Sequence, residues 1–216
     1  MNLGQFFFKY RSYTPLPFLV VLFLFGRPTL LTLVIGFLIA ASGEMMRIWA
    51  VSYAGSETRT TKLGASVLVT QGPYAYVRNP LYLGNFMIYF GVSIMANSLF
   101  PFLQIIGLIY FYLQYHFIIR EEEAFLRSKF KDKYDEYAAS VSRFIPKPAP
   151  LDTGKQSKLK FDLKAGYRSE KRTFQAMTSI MLMVLMIFIL LHPPKNDVYS
   201  QFNRQMGDIL SQRPQR

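Results

Sequence analysis

Arg78 and Asn79 stand side by side just before a long apolar run, and Glu121, Glu122 and Glu123 stand together just after the next one. A guanidinium grips carboxylates in two-pronged geometry, and a carboxylate accepts hydrogen bonds from ammonium and hydroxyl groups. Two helix ends therefore carry groups able to hold a ligand bearing both charges. Asn79 adds an amide, which donates and accepts but cannot serve as a base at neutral pH. Tyr74, Tyr76 and Tyr82 surround Arg78 in sequence, and their flat faces suit a stacked ring or a membrane interface equally. Taken alone, Leu68–Gly84 reads more often as an interfacial loop. The acidic run alone reads as a solvated face balanced by Arg120, Arg127 and Lys129.

The elements that must position these groups follow from apolar blocks and breakers. Leu16–Phe25 predicts a short first membrane helix that starts upstream of Pro15 and turns at Gly26–Pro28. Thr29 to about Tyr53 predicts a second helix, which carries Glu44 and Arg47 three residues apart and so on one face. Ionisable residues at such depth mark a polar cavity or a functional site, and this pair is a candidate for the substrate side. Ala54–Asn79 is a polar connector. Within it Gly72 permits a turn or a close approach, and Pro73 and Pro80 stiffen the chain, Pro80 as the first residue of a helix. Leu81–Ala96 and Leu99–Ile119 predict a tight antiparallel helical hairpin. Arg120–Tyr137 predicts a charged amphipathic continuation of the fourth helix, closed by the prolines of Phe144–Pro150. Leu151–Arg172 reads as a basic surface loop, and Phe174–Leu191 as a last apolar helix just long enough to span. His116 lies four residues before Arg120 on one face and is a candidate base, although a structural histidine is the commoner case.

Composition agrees with this layout. Half of the 216 residues are apolar, yet 25 are Lys or Arg and the net charge is +12. The two facts are compatible because the basic residues flank apolar blocks long enough for a bilayer, which favours a positive-inside bias over nucleic-acid binding. Residues 120–173 hold fourteen Lys and Arg, residues 54–79 three, and the opposite loop only Arg27. The connector and the acidic helix are therefore expected on one face of the membrane, the cytoplasmic one. The chain has no cysteine, which removes disulfides, thiolate catalysis and Cys-ligated metals. No zinc spacing, phosphate-binding loop or serine-nucleophile motif is present, so no metal is expected.

Two spaced patterns, LVTxGPYxxVRNPxYxG from Leu68 and EExxLxxxFxxxYxxYxxxVxRFIP from Glu122, flank the predicted hairpin in order. Together they resemble the isoprenylcysteine carboxyl methyltransferase and phospholipid methyltransferase family, over about Leu30 to Pro146. The resemblance implies an all-α polytopic bundle of about five membrane helices that uses S-adenosyl-L-methionine. Residues 1–150 would form the methyltransferase-like core, 151–173 a basic cytoplasmic linker, and 174–216 an added apolar helix and polar tail. The cofactor would lie at the cytoplasmic end against Leu68, Val69, Gln71, Gly72, Tyr74, Val77, Arg78, Asn79, Tyr82, Glu122, Glu123 and Tyr137. Arg78, Asn79 and Glu123 would carry the chemistry, with Glu44, Arg47 and His116 on the substrate side. The acceptor would be a lipophilic or lipidated molecule embedded among membrane lipids. The family often has His where this chain has Asn79, which shifts the expectation from proton transfer to positioning. It often has Gly after the second-motif Phe, where this chain has Lys131, expected as a change on a helix surface. Two other readings are an NADPH-dependent membrane reductase of the sterol-reductase type and a non-catalytic lipid-binding protein using the basic segment 155–172.

Overall fold

A computed structural model describes residues 3–55, 64–152 and 161–193. Every element among them is helical: α1 (Leu3–Tyr10), α2 (Leu16–Leu24), α3 (Leu30–Ala54), α4 (Pro80–Ala96), α5 (Phe102–Phe130), α6 (Asp132–Ser140) and α7 (Leu163–Leu191), with a 3-10 turn at Gly72–Ala75. Three of them, α3, α5 and α7, are long and apolar enough to cross a membrane. Their outward faces carry the residues a water-soluble fold would bury. Leu31 and Leu38 on α3, Ile106 and Ile109 on α5, and Leu182 and Leu190 on α7 are all exposed. At nine residues α2 is too short to span alone, and α4 has seventeen. About five spanning helices were expected; three meet the length. The first helix does not extend upstream of Pro15 either, because a turn over residues 11–15 separates it from α1.

Thr29 starts α3 with a capping box. Its hydroxyl accepts from the Thr32 amide, and the Thr32 hydroxyl accepts from the Thr29 amide. The helix then packs on α4 along matched glycines. A Cβ built on Gly36 would lie 2.4 Å from the Gly91 carbonyl oxygen, and one on Gly43 would lie 2.6 Å from that of Gly84. Gly36 and Gly43 are seven residues apart, as are Gly84 and Gly91, so the two seams run antiparallel in register. Arg47, one turn past Gly43, is thereby brought over α4, where its Cγ lies 2.6 Å from the Cβ position of Gly84. Five residues, 97–101, join α4 to α5, and the two helices meet through Tyr89 stacked on Phe111 at 4.2 Å and Tyr82 against Tyr115 at 4.9 Å.

The structure departs from expectation at two joints. The amphipathic segment Arg120–Tyr137 is not one helix: α5 runs through Glu121–Glu123 to Phe130, and Lys131, at φ 51°, breaks the chain before α6. Lys131 is thus a hinge residue, not a change on a helix surface. With ψ at −128° it occupies backbone space that favours glycine. Lys131→Gly is expected to raise stability by about 1 kcal/mol, read as a higher unfolding temperature in detergent; an unchanged or lower temperature contradicts the strain.

The second joint is α7. It begins at Leu163, inside the stretch read as a basic surface loop. Asp162 caps it by accepting from the Ala165 amide at 2.9 Å. Its buried residues, Gly166, Glu170, Met177 and Val184, are spaced four, seven and seven apart and form one stripe. Gly166 lets that stripe touch α3, since a Cβ there would lie 2.1 Å from the Ser52 hydroxyl. The rest of the linker, residues 153–160, and the polar tail, with residues 56–63 of the connector, lie outside the described residues.

Candidate functional site

The two motif segments meet, and backbone hydrogen bonds hold them together. The Arg78 amide donates to the Ser142 carbonyl, the Lys147 amide to Tyr76, and the Leu151 amide to Ala75, each at 2.9 Å. Side chains reinforce the seam. The Tyr137 hydroxyl donates to the Tyr74 carbonyl at 2.8 Å, Arg78 Nη1 to the Ala138 carbonyl at 2.9 Å, and Asn79 Nδ2 to the Arg143 carbonyl at 3.2 Å. Asn79 also precedes Pro80, the first residue of α4, as expected. Gly72 enables the turn: its φ is 61°, and a Cβ there would sit 2.3 Å from the Tyr53 ring.

Glu123 is the charged centre of this junction. It is buried, with Arg78 Nη2 3.3 Å from its Oε1, and Arg143 grips both oxygens, Nε at 3.1 Å from Oε1 and Nη2 on Oε2. A buried carboxylate between two guanidiniums fixes both of them in place. Glu122, its neighbour, points another way and accepts from the Tyr82 hydroxyl at 2.7 Å. Arg78 keeps a donor in reserve, since its Nε is buried without a hydrogen-bond partner. On α6, burial raises the Tyr134 hydroxyl to about 12, and burial raises Tyr137 as well, so both phenols stay neutral.

These residues border a cavity of about 700 Å³. Leu68, Val69, Tyr74, Arg78, Asn79, Tyr82, Glu122, Glu123, Tyr137 and Arg47 line it. Gln71, Gly72 and Val77, also expected at the cofactor, do not line it; Val77 is buried. Glu44 is buried next to Arg47 without lining the cavity, their charged atoms 3.8 Å apart. His116 is half-buried between the rings of Tyr112 and Phe117 and does not line it.

Several lining residues were not assigned to the site from sequence. Asn85, Tyr89 and Tyr115 face it from α4 and α5, and Phe8, Arg11 and Ser12 from the N-terminal segment. Glu170, Arg172, Thr173 and Ala176 face it from α7. Asn85 was findable, being an amide inside an apolar helix. Glu170 was findable from the capping residue Asp162, which starts a helical stripe that reaches it. The cavity is thus polar at the α5–α6 junction and at the α3–α7 contact, with aromatic rings between. A site of this kind suits an elongated ligand with charged and apolar parts, and its volume falls in the range of small-molecule sites, roughly 300–1,000 Å³.

Residues 31–133 match the phospholipid methyltransferase family. The chain is 35% identical to the cobalt-zinc-cadmium resistance protein CzcN of Cupriavidus metallidurans over 120 residues, 56% of this chain and 50% of that protein. It is 32% identical to the protein-S-isoprenylcysteine O-methyltransferase of Schizosaccharomyces pombe, over 66% of this chain and 60% of that enzyme. It is 30% identical to the Saccharomyces cerevisiae enzyme of the same name, over 68% and 65%. The chain spans about half the length of the metal-resistance relatives. No solved structure matches it. The matched segment holds α3, α4 and α5 with the connector between them, and so both Arg78 and Glu122–Glu123. Over residues 31–133 the chain is thus similar to the phospholipid methyltransferase family.

Proposed function

We propose that the chain transfers a methyl group from S-adenosyl-L-methionine to a lipophilic acceptor held in the membrane, the carboxylate or amine of a prenyl- or phospholipid-like molecule. One observation carries the reading: Arg78, with a buried unpartnered Nε, faces the same 700 Å³ cavity as Glu122 and Glu123. The donor set fits an amphoteric cofactor. Arg78 Nε supplies the missing partner for a carboxylate, Glu122 accepts from an ammonium or ribose hydroxyl, and Tyr74 and Tyr137 offer ring faces. When bound, that cofactor supplies an already activated methyl on a sulfonium centre.

The remaining work is positional. Methyl transfer is an in-line displacement, and holding nucleophile and methyl in line supplies most of the catalytic advantage. Glu123 locks Arg78 and Arg143, which fixes the wall that carries Asn79. Asn79 donates through its amide and takes up no proton, so its part is orientation. A carboxylate acceptor needs no base, whereas an amine must shed a proton. Arg47 and Glu44 stand on the acceptor side. The Lys and Arg distribution supports a cytoplasmic position for the junction.

The test is methyl transfer from radiolabelled cofactor by purified protein supplied with membrane lipids. Label is expected in the organic-extractable fraction, with Arg78→Ala reducing it about a hundredfold, as for loss of one positioning contact. Label confined to the aqueous phase with the unaltered protein contradicts the reading.

A further inference from the structure

The α7 face of the cavity lies outside the segment that matches the family, yet it contributes a buried acid. Glu170 is 1% exposed, and Arg47 Nη2 donates to its Oε1 at 3.0 Å and its Oε2 at 2.8 Å. Arg47 Nη1 donates to Asn85 Oδ1, and Glu44 lies beside Nε. Three helices therefore fix one guanidinium: α3 bears it, α4 holds one prong, and α7 holds the other. Two packing features bring α7 there. Gly166, one turn before Glu170, allows contact with Ser52, and the Asp162 amide donates to the Ser52 carbonyl at 3.0 Å.

The Arg47 cluster is not part of the Glu123 junction. Arg47 reaches Glu44, Asn85 and Glu170, whereas Glu123 reaches Arg78 and Arg143. Both clusters face the same cavity. A buried ion pair adds little stability over apolar packing, so its value in a cavity wall is to hold a polar group in one orientation. We propose, resting on the methyl-transfer reading, that α7 is the acceptor-selecting wall of the site and that Glu170 is a positioning residue, acting through Arg47 and Asn85 on the polar end of the acceptor. The cofactor end, built from the Glu123 junction, does not depend on it.

The experiment uses the full chain in lipid nanodiscs, with Glu170→Gln, Glu170→Asp and Ala176→Leu as variants. Ala176 lines the cavity on α7 and is exposed, so Leu there adds bulk without touching the ion pair. S-adenosylhomocysteine affinity is read by calorimetry. KM and kcat are read with two probes, an amine-blocked S-farnesylcysteine and phosphatidylethanolamine vesicles. Glu170→Gln is expected to raise the KM of the accepted probe about tenfold or more while homocysteine-product affinity stays within about twofold, differences of about 1.4 and 0.4 kcal/mol. Glu170→Asp should recover part of the loss, and Ala176→Leu should raise KM at an unchanged unfolding temperature. Unchanged KM in both Glu170→Gln and Ala176→Leu overturns the proposal, as does product affinity falling in step with acceptor KM. If Glu170→Gln does not fold, Ala176→Leu decides alone. An unaltered protein that binds the product but methylates neither probe overturns the proposal and leaves the cofactor site standing. One that binds no product refutes the methyl-transfer reading itself, and the proposal falls with it.

Discussion

Glu123→Gln is expected to lower S-adenosylhomocysteine affinity by tenfold or more, about 1.4 kcal/mol, and to destabilise the protein at the same time. The reason is the geometry of its partners. Arg78 Nη2 lies 3.3 Å from one oxygen, and Arg143 grips both. Glu123 is buried, so the amide would leave two guanidiniums facing each other with no carboxylate between them. Removing one partner of a buried pair costs about 3–5 kcal/mol, more than the pair adds when intact, because the remaining charge stays buried. The repelled Arg78 side chain would move, and its Nε with it. Calorimetric titration gives the affinity and thermal unfolding gives the stability. Arg127→Gln is the control, since its pair with Asp135 is more than half exposed on both sides and contributes little. Equal small effects of the two substitutions would contradict the central role given to Glu123.

Gly43→Val is expected to prevent folding or to cost about 3 kcal/mol, the upper range for forcing bulk into a packed seam. Its Cβ would lie 2.6 Å from the Gly84 carbonyl oxygen and 3.0 Å from the Ile88 amide nitrogen, both backbone atoms that cannot turn aside. The helices would have to separate, and Arg47, one turn further along, would lose its approach to Asn85. The effect therefore reaches the cavity. A substitution that merely adds a larger side chain at an outward-facing position, Leu38→Phe for example, should be tolerated. The yield of monodisperse protein and its unfolding temperature check the prediction; a wild-type temperature for Gly43→Val would contradict the glycine seam.

The parts of this molecule that were legible in sequence are those governed by local rules. Pro80 marks the start of α4 and Thr29 the start of α3 because capping and fixed φ are local properties. Apolar blocks gave α3, α5 and α7 because bilayer length is written into composition. The pairing of Arg78 with Glu123 was legible only as a spaced pattern; nothing local says that Arg143 joins them. The Lys131 break was hidden because lysine is a good helix former and carries no turn signal, and a positive φ at a non-glycine residue is set by tertiary context rather than by local sequence. Glu170 was hidden by its neighbours. Lys164, Arg168, Lys171 and Arg172 make that stretch read as a solvated basic loop, although the Asp162 cap and the spacing of Gly166, Glu170 and Met177 mark a helix with a buried stripe. Its partner Arg47 is 123 positions away, a distance at which sequence periodicity has nothing to say.

The cavity between α3, α5, α6 and α7 is proposed as a cofactor site anchored by Arg78 and Glu122–Glu123. Isothermal titration of the purified full chain with S-adenosylhomocysteine tests it most directly, because binding needs no knowledge of the acceptor. Saturable one-to-one binding is expected, weakened about tenfold or more by Arg78→Ala. Absence of binding by the unaltered, folded protein, or binding that Arg78→Ala leaves unchanged, would contradict it.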